Sequence, residues 1–291
     1  MNVLSLFDGM SCGRIALERA GITPDWYFAS EICRHAISVT TRNWSDVVQL
    51  GCVNGIKGEH LPKIDLLIGG SPCQGFSSAG LGLNFNDPRS ALFFEYVRLL
   101  RECQPKYFLL ENVVMKQEWQ DVISNHVGCE PVLINSALVS AQNRPRLYWT
   151  NIPFTMPADK GITFAEVLDE PGYAASMVGR RVTNGVRKDY DRTVKFRQFI
   201  EQRHTGKSSC LTTVDKDNVV IYEPLSERKL VSEVKYRYLT RRECERLQTV
   251  PEGYTDGVSV NQAKRMLGNG WTVDVIANFF KHFECSALAV R

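Results

Sequence analysis

A cysteine follows a short apolar run and lies in a loop of small residues. The run at 64–68 reads Ile-Asp-Leu-Leu-Ile, and Gly-Gly-Ser-Pro-Cys-Gln-Gly follows it at 69–75. Pro72 restricts φ, and the glycines permit tight backbone paths. Because chemistry in open α/β sheets collects at the carboxyl ends of strands, Cys73 is a candidate nucleophile. Most free cysteines are small buried hydrophobic residues, but this setting favours the nucleophile.

Two acidic residues accompany other strand-like runs. Phe-Asp-Gly-Met-Ser-Cys-Gly at 7–13 turns from the first run into a helical pattern, and Glu31 ends the second run. The turn lacks the G-x-G-x-x-G spacing of dinucleotide sites, and Asp8 would repel a pyrophosphate. A ligand with a cationic amino group fits Asp8 better. Glu31 is placed to accept hydrogen bonds from ribose hydroxyls, although a surface position would explain it equally well.

A carboxyl group and two guanidinium groups follow later in the chain. Glu111 ends the run at 107–110, and Gln-Asn-Arg-Pro-Arg at 142–146 places Arg144 and Arg146 near another run. Together with Cys73, they would bring a nucleophile, an acid and a cation to one edge of a sheet. The alternative for both arginines is a surface loop.

The elements that must position these residues alternate in type. Strand-like runs cover 3–7, 26–30, 47–50, 64–68, 107–110, 131–139 and 147–152. Helical spacing of apolar residues falls between them, at 13–20, 33–42, 89–101 and 118–125. This alternation predicts an α/β fold with a doubly wound, mostly parallel, Rossmann-like sheet.

The pattern changes after residue 152. Residues 153–239 mix basic, aromatic and β-branched residues without a sustained period. We therefore expect a catalytic and cofactor-binding domain at 1–152 and a smaller, irregular, β-containing lobe at 153–239. A last segment at 240–291 would return to the first domain. It begins with a helix capped by Thr240 and ends with an amphipathic helix.

Cysteine usage and hydropathy narrow the setting. The nine cysteines are scattered, with no C-x-x-C pair and no His/Cys cluster of zinc-site spacing. Neither a disulfide framework nor a metal site is therefore expected. No signal peptide precedes the first strand-like run, and no apolar run approaches the roughly 20 residues that span a bilayer. These features predict a cytoplasmic protein without membrane contact.

The net charge of +3 is unevenly distributed. Residues 179–246 contain 17 Lys and Arg against 10 Asp and Glu, which leaves the rest of the chain acidic. A basic segment beside an acidic body favours a surface that meets phosphates. A solvated basic face would have the same composition.

Taken in order, these motifs resemble the DNA cytosine-5 methyltransferases over nearly the whole chain. The matching elements are the Phe-Asp-Gly turn, Glu31, the Ser-Pro-Cys-Gln loop, Glu-Asn-Val at 111–113, Gln-Asn-Arg-Pro-Arg, Arg-Glu-Cys-Glu-Arg-Leu-Gln at 242–248 and Leu-Gly-Asn-Gly-Trp-Thr-Val at 267–273. Several of them are most similar to the vertebrate de novo branch. The length is similar to that of stand-alone bacterial or phage enzymes.

The resemblance implies methyl transfer from S-adenosylmethionine to C5 of a cytosine in double-stranded DNA, with S-adenosylhomocysteine as product and no metal. Cys73 would add to C6 of a flipped cytosine, while Glu111 would hydrogen-bond N3 and the exocyclic amine. Arg144 would hold the base O2, and Arg146 would support the loop or a phosphate. The lobe at 153–239 would be the target-recognition domain.

The resemblance also implies a cofactor site. The residues carried over are Phe7, Asp8, Gly9, Met10 and Cys12 around the methionine moiety, Glu31 at the ribose, Ile32 at the adenine, and Asn269 and Trp271 at the methionine end. After the third strand the family usually has Gly-Asp-Ile, whose Asp accepts from the adenine amine. This chain has Gly51-Cys52-Val53 instead, so Cys52 and Val53 are the expected cofactor contacts at this position, and a thiol is a weak acceptor. We expect weaker cofactor binding unless a neighbour such as Asn54 or Asp46 compensates.

Two other functions stay open from the sequence. One is a cytosine-5 methyltransferase of transfer RNA, which the basic lobe and the single proline before Cys73 disfavour. The other is a catalytically silent DNA-binding homologue, which the intact Cys73, Glu111 and Arg144 disfavour. A cognate restriction endonuclease as partner, the oligomeric state and the recognised DNA sequence are also left open.

Overall fold

A seven-stranded sheet forms the centre of the first of two compact units. The computed structural model describes residues 1–71, 91–184 and 186–283. The first unit contains Met1–Asn135, Pro145–Ala158 and the chain from Gly270. The second unit contains Ser136–Arg144 and Asp159–Asn269. The chain therefore passes between the units four times.

The strands of the first unit carry the predicted α/β architecture. They are β1 (Asn2–Leu6), β2 (Trp26–Ser30), β3 (Val47–Gln49), β4 (Leu66–Gly70), β5 (Tyr107–Val113), β6 (Val132–Asn135) and β7 (Pro145–Thr150). Their order in the sheet is β3-β2-β1-β4-β5-β7-β6. All neighbours are parallel except β7, which is antiparallel to β5 and β6. The mostly parallel sheet is confirmed, and its order reverses between β1 and β4, where α/β proteins bind ligands.

The α-helices that the described residues of this unit form are α1 (Cys12–Arg19), α2 (Arg34–Asn43), α3 (Ala91–Cys103), α4 (Gln117–Val127) and α8 (Val273–Phe280). The core between the elements includes Leu4, Leu67, Phe93 and Trp149, all fully buried. Such continuous apolar burial is typical of parallel strands that are covered on both faces. Over the described ranges, no helix combines the length and apolar character that a membrane crossing requires.

The second unit is built on an antiparallel sheet. Its elements are α5 (Phe164–Val167), β8 (Tyr173–Thr183), β9 (Val186–Arg187), β10 (Phe196–Gln202), β11 (Val219–Ile221), β12 (Lys229–Leu230), β13 (Tyr236–Tyr238), α6 (Arg241–Leu247) and α7 (Val260–Asn269). The strand order is β12-β10-β8-β11-β13, and β9 pairs with β8. A small core of Met177, Ile200, Val219 and Ile221 lies on it. A separate β-containing lobe was predicted, and its sheet is more regular than the sequence indicated.

Some boundaries differ from the sequence-based expectation. The run at 131–139 ends as a strand at Asn135, because residues 136–138 form a 3₁₀ turn in which the Val139 amide donates to the Ser136 carbonyl at 3.0 Å. Helix α7 was not predicted. Residues 240–269 lie in the second unit, and only the chain from Gly270 belongs to the first. The Thr240 cap is present, with its side chain accepting from the Glu243 amide.

Candidate active site

The turn between β1 and α1 has an unusual backbone. Phe7, Gly9 and Ser11 have φ values of 56°, 61° and 61°, a region that only glycine enters freely. The Asp8 amide donates to the Ser30 carbonyl at 3.1 Å, and the Gly9 amide donates to Oε2 of Glu31 at 2.8 Å. The end of β2 therefore holds a strained turn in place. Such strain is concentrated at ligand-binding and catalytic sites.

The Asp8 carboxylate is bonded inside the protein. Its side chain is only 9% exposed, and the Tyr27 hydroxyl donates to Oδ1 at 2.7 Å. The Ser11 hydroxyl donates to Oδ2 and lies 2.9 Å from the Thr40 hydroxyl. Burial raises the pKa of Asp8 to about 6, although the hydroxyl donors oppose this shift. The sequence predicted that Asp8 lies beside a cationic group of a ligand. In the structure its carboxylate accepts hydrogen bonds inside the protein and so stabilises the turn.

We predict that Asp8 makes stability pH-dependent. Because its folded pKa is raised, the folded protein holds a proton between pH 4 and 6 that the unfolded chain releases, so the free energy of unfolding falls as pH rises through this window. The shift from 3.8 to about 6 corresponds to about 3 kcal/mol. This decline should disappear in Asp8→Asn, measured by urea unfolding at pH 4 and pH 7. The surface variant Asp121→Asn should keep it, and an Asp8→Asn protein that kept it too would place its origin elsewhere.

Glu31 and Ile32 lie side by side after β2. Oε1 of Glu31 accepts from the amides of Ile32 at 2.8 Å and Cys33 at 2.7 Å, where α2 begins. The Ile32 side chain is 77% exposed, although it is a large apolar group. A fixed carboxylate beside an exposed apolar surface suits a ligand with vicinal hydroxyls and a flat ring.

The segment after β3 carries the unusual cysteine. Cys52 is exposed and precedes a short 3₁₀ turn that begins at Val53. Val53, a predicted ligand contact, is 4% exposed and belongs to the hydrophobic core. Asp46, the predicted substitute acceptor, pairs with Nη2 of Arg14 at 3.0 Å. Its carboxylate is thus already engaged by a cation.

Glu111 lies at the carboxyl end of the sheet and has a donor on each oxygen. Glu111 on β5 pairs with Gly70 on the neighbouring strand β4. Nε of Arg146 lies 3.0 Å from Oε1, and the indole N–H of Trp271 donates to Oε2 at 3.1 Å. Glu111 is 9% exposed, so both contacts act in a partly desolvated setting. The structure brings three of the predicted site residues together here.

Asn112 links this cluster to Ser71, the last described residue before Cys73. Its side-chain amide donates to the Ser71 hydroxyl at 3.1 Å, and both residues are buried. Ser71 precedes Pro72-Cys73 in the sequence; Cys73 itself lies outside the described residues. Sequence reasoning treated Asn112 only as part of a motif, and its contact with Ser71 could not be read from spacing.

Arg144 has a different environment from Arg146. It belongs to the second unit and is 3% exposed. Its Nη1 donates to the Leu211 carbonyl at 2.7 Å and lies 3.1 Å from Sγ of Cys210, and its Nη2 donates to the Gly268 carbonyl at 3.1 Å. These bonds tie three segments of the second unit together. Arg144 therefore stabilises the fold of the second unit.

Other predicted contacts fall in the core or in the second unit. Met10 and Cys12 are 1% and 4% exposed, so their side chains pack inside the first unit. Asn269 is exposed at the end of α7, in the second unit. In the described part of the chain, no group of three or more His, Cys, Asp or Glu side chains could hold a metal ion.

The basic residues of the second unit divide into two groups. Arg180 pairs with Glu201 at 3.1 Å, and Arg187 pairs with Asp189. Lys188, Arg192 and Lys195 are exposed between β9 and β10. Tyr190 is fully exposed among them. This short connection therefore combines solvent-facing cations with an aromatic ring, a composition suited to nucleic acid.

Comparison with known proteins gives one consistent result. The family model for C-5 cytosine-specific DNA methylase matches residues 1–127 and 165–285. The orphan methyltransferase M.SPRI of Bacillus phage SPR is 37% identical over 51% of this chain and 37% of its own length. The type II methyltransferase M1.ScrFI of Lactococcus lactis subsp. cremoris is 30% identical over 94% of this chain and 75% of its own length.

A solved structure agrees on the fold. Entamoeba histolytica methyltransferase EhMeth superposes with a TM-score of 0.71 at 17% identity, covering 99% of this chain and 98% of that one. At that identity the likeness concerns the fold alone. The chain spans little more than a third of the phage relative but three quarters of the lactococcal one. With the family model covering most of the sequence, the chain belongs to the C-5 cytosine-specific DNA methylase family.

Proposed function

We propose that this protein methylates C5 of cytosine in double-stranded DNA, using S-adenosylmethionine as the methyl donor. The observation that carries the proposal is the Glu111 cluster: an acid held by Arg146 and Trp271, next to an asparagine that bonds the residue just before Pro72-Cys73. Family membership and the names of the phage and lactococcal relatives support it.

The proposed chemistry needs a nucleophile from the protein, because C5 of cytosine is itself too weak a nucleophile to attack a methyl group unaided. Thiolate addition from Cys73 to C6 pushes an electron pair to C5, which creates an enamine. N3 takes up a proton as negative charge develops on the ring, and the carboxyl group of Glu111 is placed to pass that proton to N3 and to accept a hydrogen bond from the exocyclic amine. After methylation C5 loses its proton to solvent, and the C6–S bond breaks to release Cys73.

Arg146 is the better candidate for contact with the base O2. The sequence assigned that contact to Arg144, but the guanidinium of Arg144 already bonds two carbonyls and faces a sulfur. Arg146 shares the Glu111 carboxylate instead. A base that hydrogen-bonds Glu111 would meet the Arg146 side chain next. We therefore propose that Arg146 contacts O2 of the base and that Arg144 stabilises the fold of the second unit.

The residues of the first unit fit S-adenosylmethionine. The strained turn leads into the N-terminus of α1, Glu31 offers a carboxylate for ribose hydroxyls, and Ile32 offers an apolar face for adenine. When bound, the cofactor supplies an electrophilic methyl group on a sulfonium. The chain's part is to hold the donor and to exclude water from the activated base.

We predict that Cys52→Asp tightens cofactor binding by about tenfold, because an ionised acceptor gains a charge-assisted hydrogen bond that a thiol does not provide. Calorimetric titration with S-adenosylmethionine measures the change. Cys52→Ser is the matched control and should bind nearly as the parent does, since it adds polarity without charge. Equal affinity for all three proteins would mean that the adenine amine does not reach this position.

One experiment separates the proposed function from its alternatives. The protein is expressed in a methylation-free host, and genomic DNA is read by bisulfite sequencing. Methylated cytosines in a recurring DNA sequence are expected. A purified protein that labels transfer RNA but not duplex DNA from labelled S-adenosylmethionine would replace the proposal with the RNA alternative. DNA binding without any labelling would indicate a silent homologue.

A restriction endonuclease that cuts the same DNA sequence is a possible partner that a separate experiment can test. The relatives carry both kinds of name, orphan and type II. Once the methylated DNA sequence is known, extracts of the source cells can be tested for cleavage of the unmethylated form. Protection by prior methylation would establish the pair.

A further inference from the structure

The contact between Trp271 and Glu111 joins residues 160 positions apart in the sequence. Each oxygen of the carboxylate has its own donor, Nε of Arg146 on Oε1 and the indole N–H on Oε2. The terminal torsion of a glutamate is broad, so a carboxylate without such donors would rotate. Two donors on opposite oxygens fix the plane of the group.

Glycine leaves the space in which this contact forms. A Cβ on Gly70 would lie 2.9 Å from both Oε2 of Glu111 and Nε1 of Trp271. A Cβ on Gly13, in the first turn of α1, would lie 3.5 Å from Cζ3 of Trp271. The indole thus extends from the helix that follows the strained turn to the carboxylate. A side chain at position 70 would therefore displace the carboxylate or the indole and weaken their hydrogen bond.

We propose that Trp271 is a positioning residue for Glu111, and that its N–H sets the plane in which the carboxyl group meets the cytosine edge. This inference rests on the proposed function and adds to the cofactor contact expected for Trp271. Each carboxylate oxygen has two acceptor sites, so Oε2 can bond the indole and still accept from the amine of the base. Without the N–H, Glu111 keeps its Arg146 partner but loses its orientation.

The test separates activation of the base from methyl transfer. With DNA that carries tritium at cytosine C5 and no methyl donor, thiolate adds to C6 and C5 takes a proton from solvent. Loss of the triton from C5 and cleavage of the C6–S bond then restore cytosine, so tritium release reports the nucleophile and the acid alone. We expect Trp271→Phe, which keeps a ring but removes the N–H, to slow this release about 10–100-fold. Its Kd for S-adenosylmethionine should stay within about twofold of the parent value.

A second variant and a control make the result interpretable. Gly70→Ala should produce a similar loss of exchange by separating the pair, with Trp271 intact. Trp26→Phe, at a 54% exposed tryptophan, should exchange tritium at the parent rate. Thermal unfolding of each variant shows whether the fold is retained. In the double variant Trp271→Phe, Glu111→Gln, the tryptophan substitution should add little to the loss that Glu111→Gln causes alone, because a residue that acts through Glu111 is not additive with it.

The outcomes that oppose the proposal are distinct from failure of the function. Parent-like exchange by Trp271→Phe, with weaker cofactor binding, would confine Trp271 to the cofactor site and overturn the proposal. Additive losses in the double variant would do the same. If the parent protein neither methylates DNA nor exchanges tritium, the proposed function fails instead.

Discussion

A protein with Cys73→Ala should lose DNA methylation by at least about 10⁴-fold, while it still binds DNA and S-adenosylmethionine. Without the thiol no covalent step can activate C5, and removal of a nucleophile costs enzymes of this kind several orders of magnitude. Methylation of duplex DNA with labelled cofactor measures the loss. Cys129→Ala, at a partly buried thiol outside the proposed site, should retain activity.

A trapping experiment tests directly for the covalent bond between Cys73 and DNA. In the presence of S-adenosylmethionine, DNA with fluorine at cytosine C5 should remain attached to the parent protein in denaturing gels, because after methylation fluorine cannot leave C5 as a cation and the adduct cannot resolve. Cys73→Ala should form no such complex. A Cys73→Ser protein as active as the parent would contradict the thiolate mechanism.

The two arginines of Gln-Asn-Arg-Pro-Arg should fail in different ways. Arg144→Met leaves buried carbonyls of Leu211 and Gly268 without their donor, so we expect a loss of about 3–5 kcal/mol in the free energy of unfolding. Arg146→Met removes one of two donors from Glu111, which keeps the indole N–H, so the loss of stability should be smaller than for Arg144→Met, about 1–3 kcal/mol. Its turnover should fall by about 10²–10³-fold, as when a transition-state hydrogen-bond donor is removed.

Urea unfolding and kcat, measured on both variants, check this contrast. Arg144→Lys serves as a control, since it keeps the charge but can satisfy fewer acceptors, and it should be intermediate in stability. A stable Arg144→Met protein with low turnover would return the base contact to Arg144. An Arg146→Met protein that is destabilised as much as Arg144→Met but keeps its turnover would mean that the pairing of Arg146 with Glu111 is structural only.

Strand ends were predictable because parallel strands appear in the sequence as continuous apolar runs. That placed Glu31 and Glu111 correctly after or within their strands, to within a residue or two. The direction of a polar side chain depends on partners from distant segments. Asp8 accepts hydrogen bonds from Tyr27 and Ser11, and Arg144 donates to the carbonyls of Leu211 and Gly268. These contacts cannot be predicted from the spacing of residues in the sequence.

The second unit was harder to predict for a related reason. Helix α7 has Ala263, Met266 and Leu267 at helical spacing, but polar residues and a glycine interrupt the pattern. A Cβ on Gly268 would lie 2.3 Å from the Thr212 carbonyl, so this glycine permits close packing of the helix end. Periodicity treats such a glycine as a breaker, whereas the fold uses it as a contact.

The contact of α1 with α8 has a consequence for the order of synthesis. Nη1 of Arg19 lies 2.6 Å from Oδ1 of Asp274, a pair separated by 255 residues. At roughly 5–20 residues per second, a ribosome needs on the order of 10–50 s to join the second partner to the first. Throughout that interval the apolar face of α1 lacks its helix partner, so we expect the nascent chain to bind chaperones that shield such surfaces.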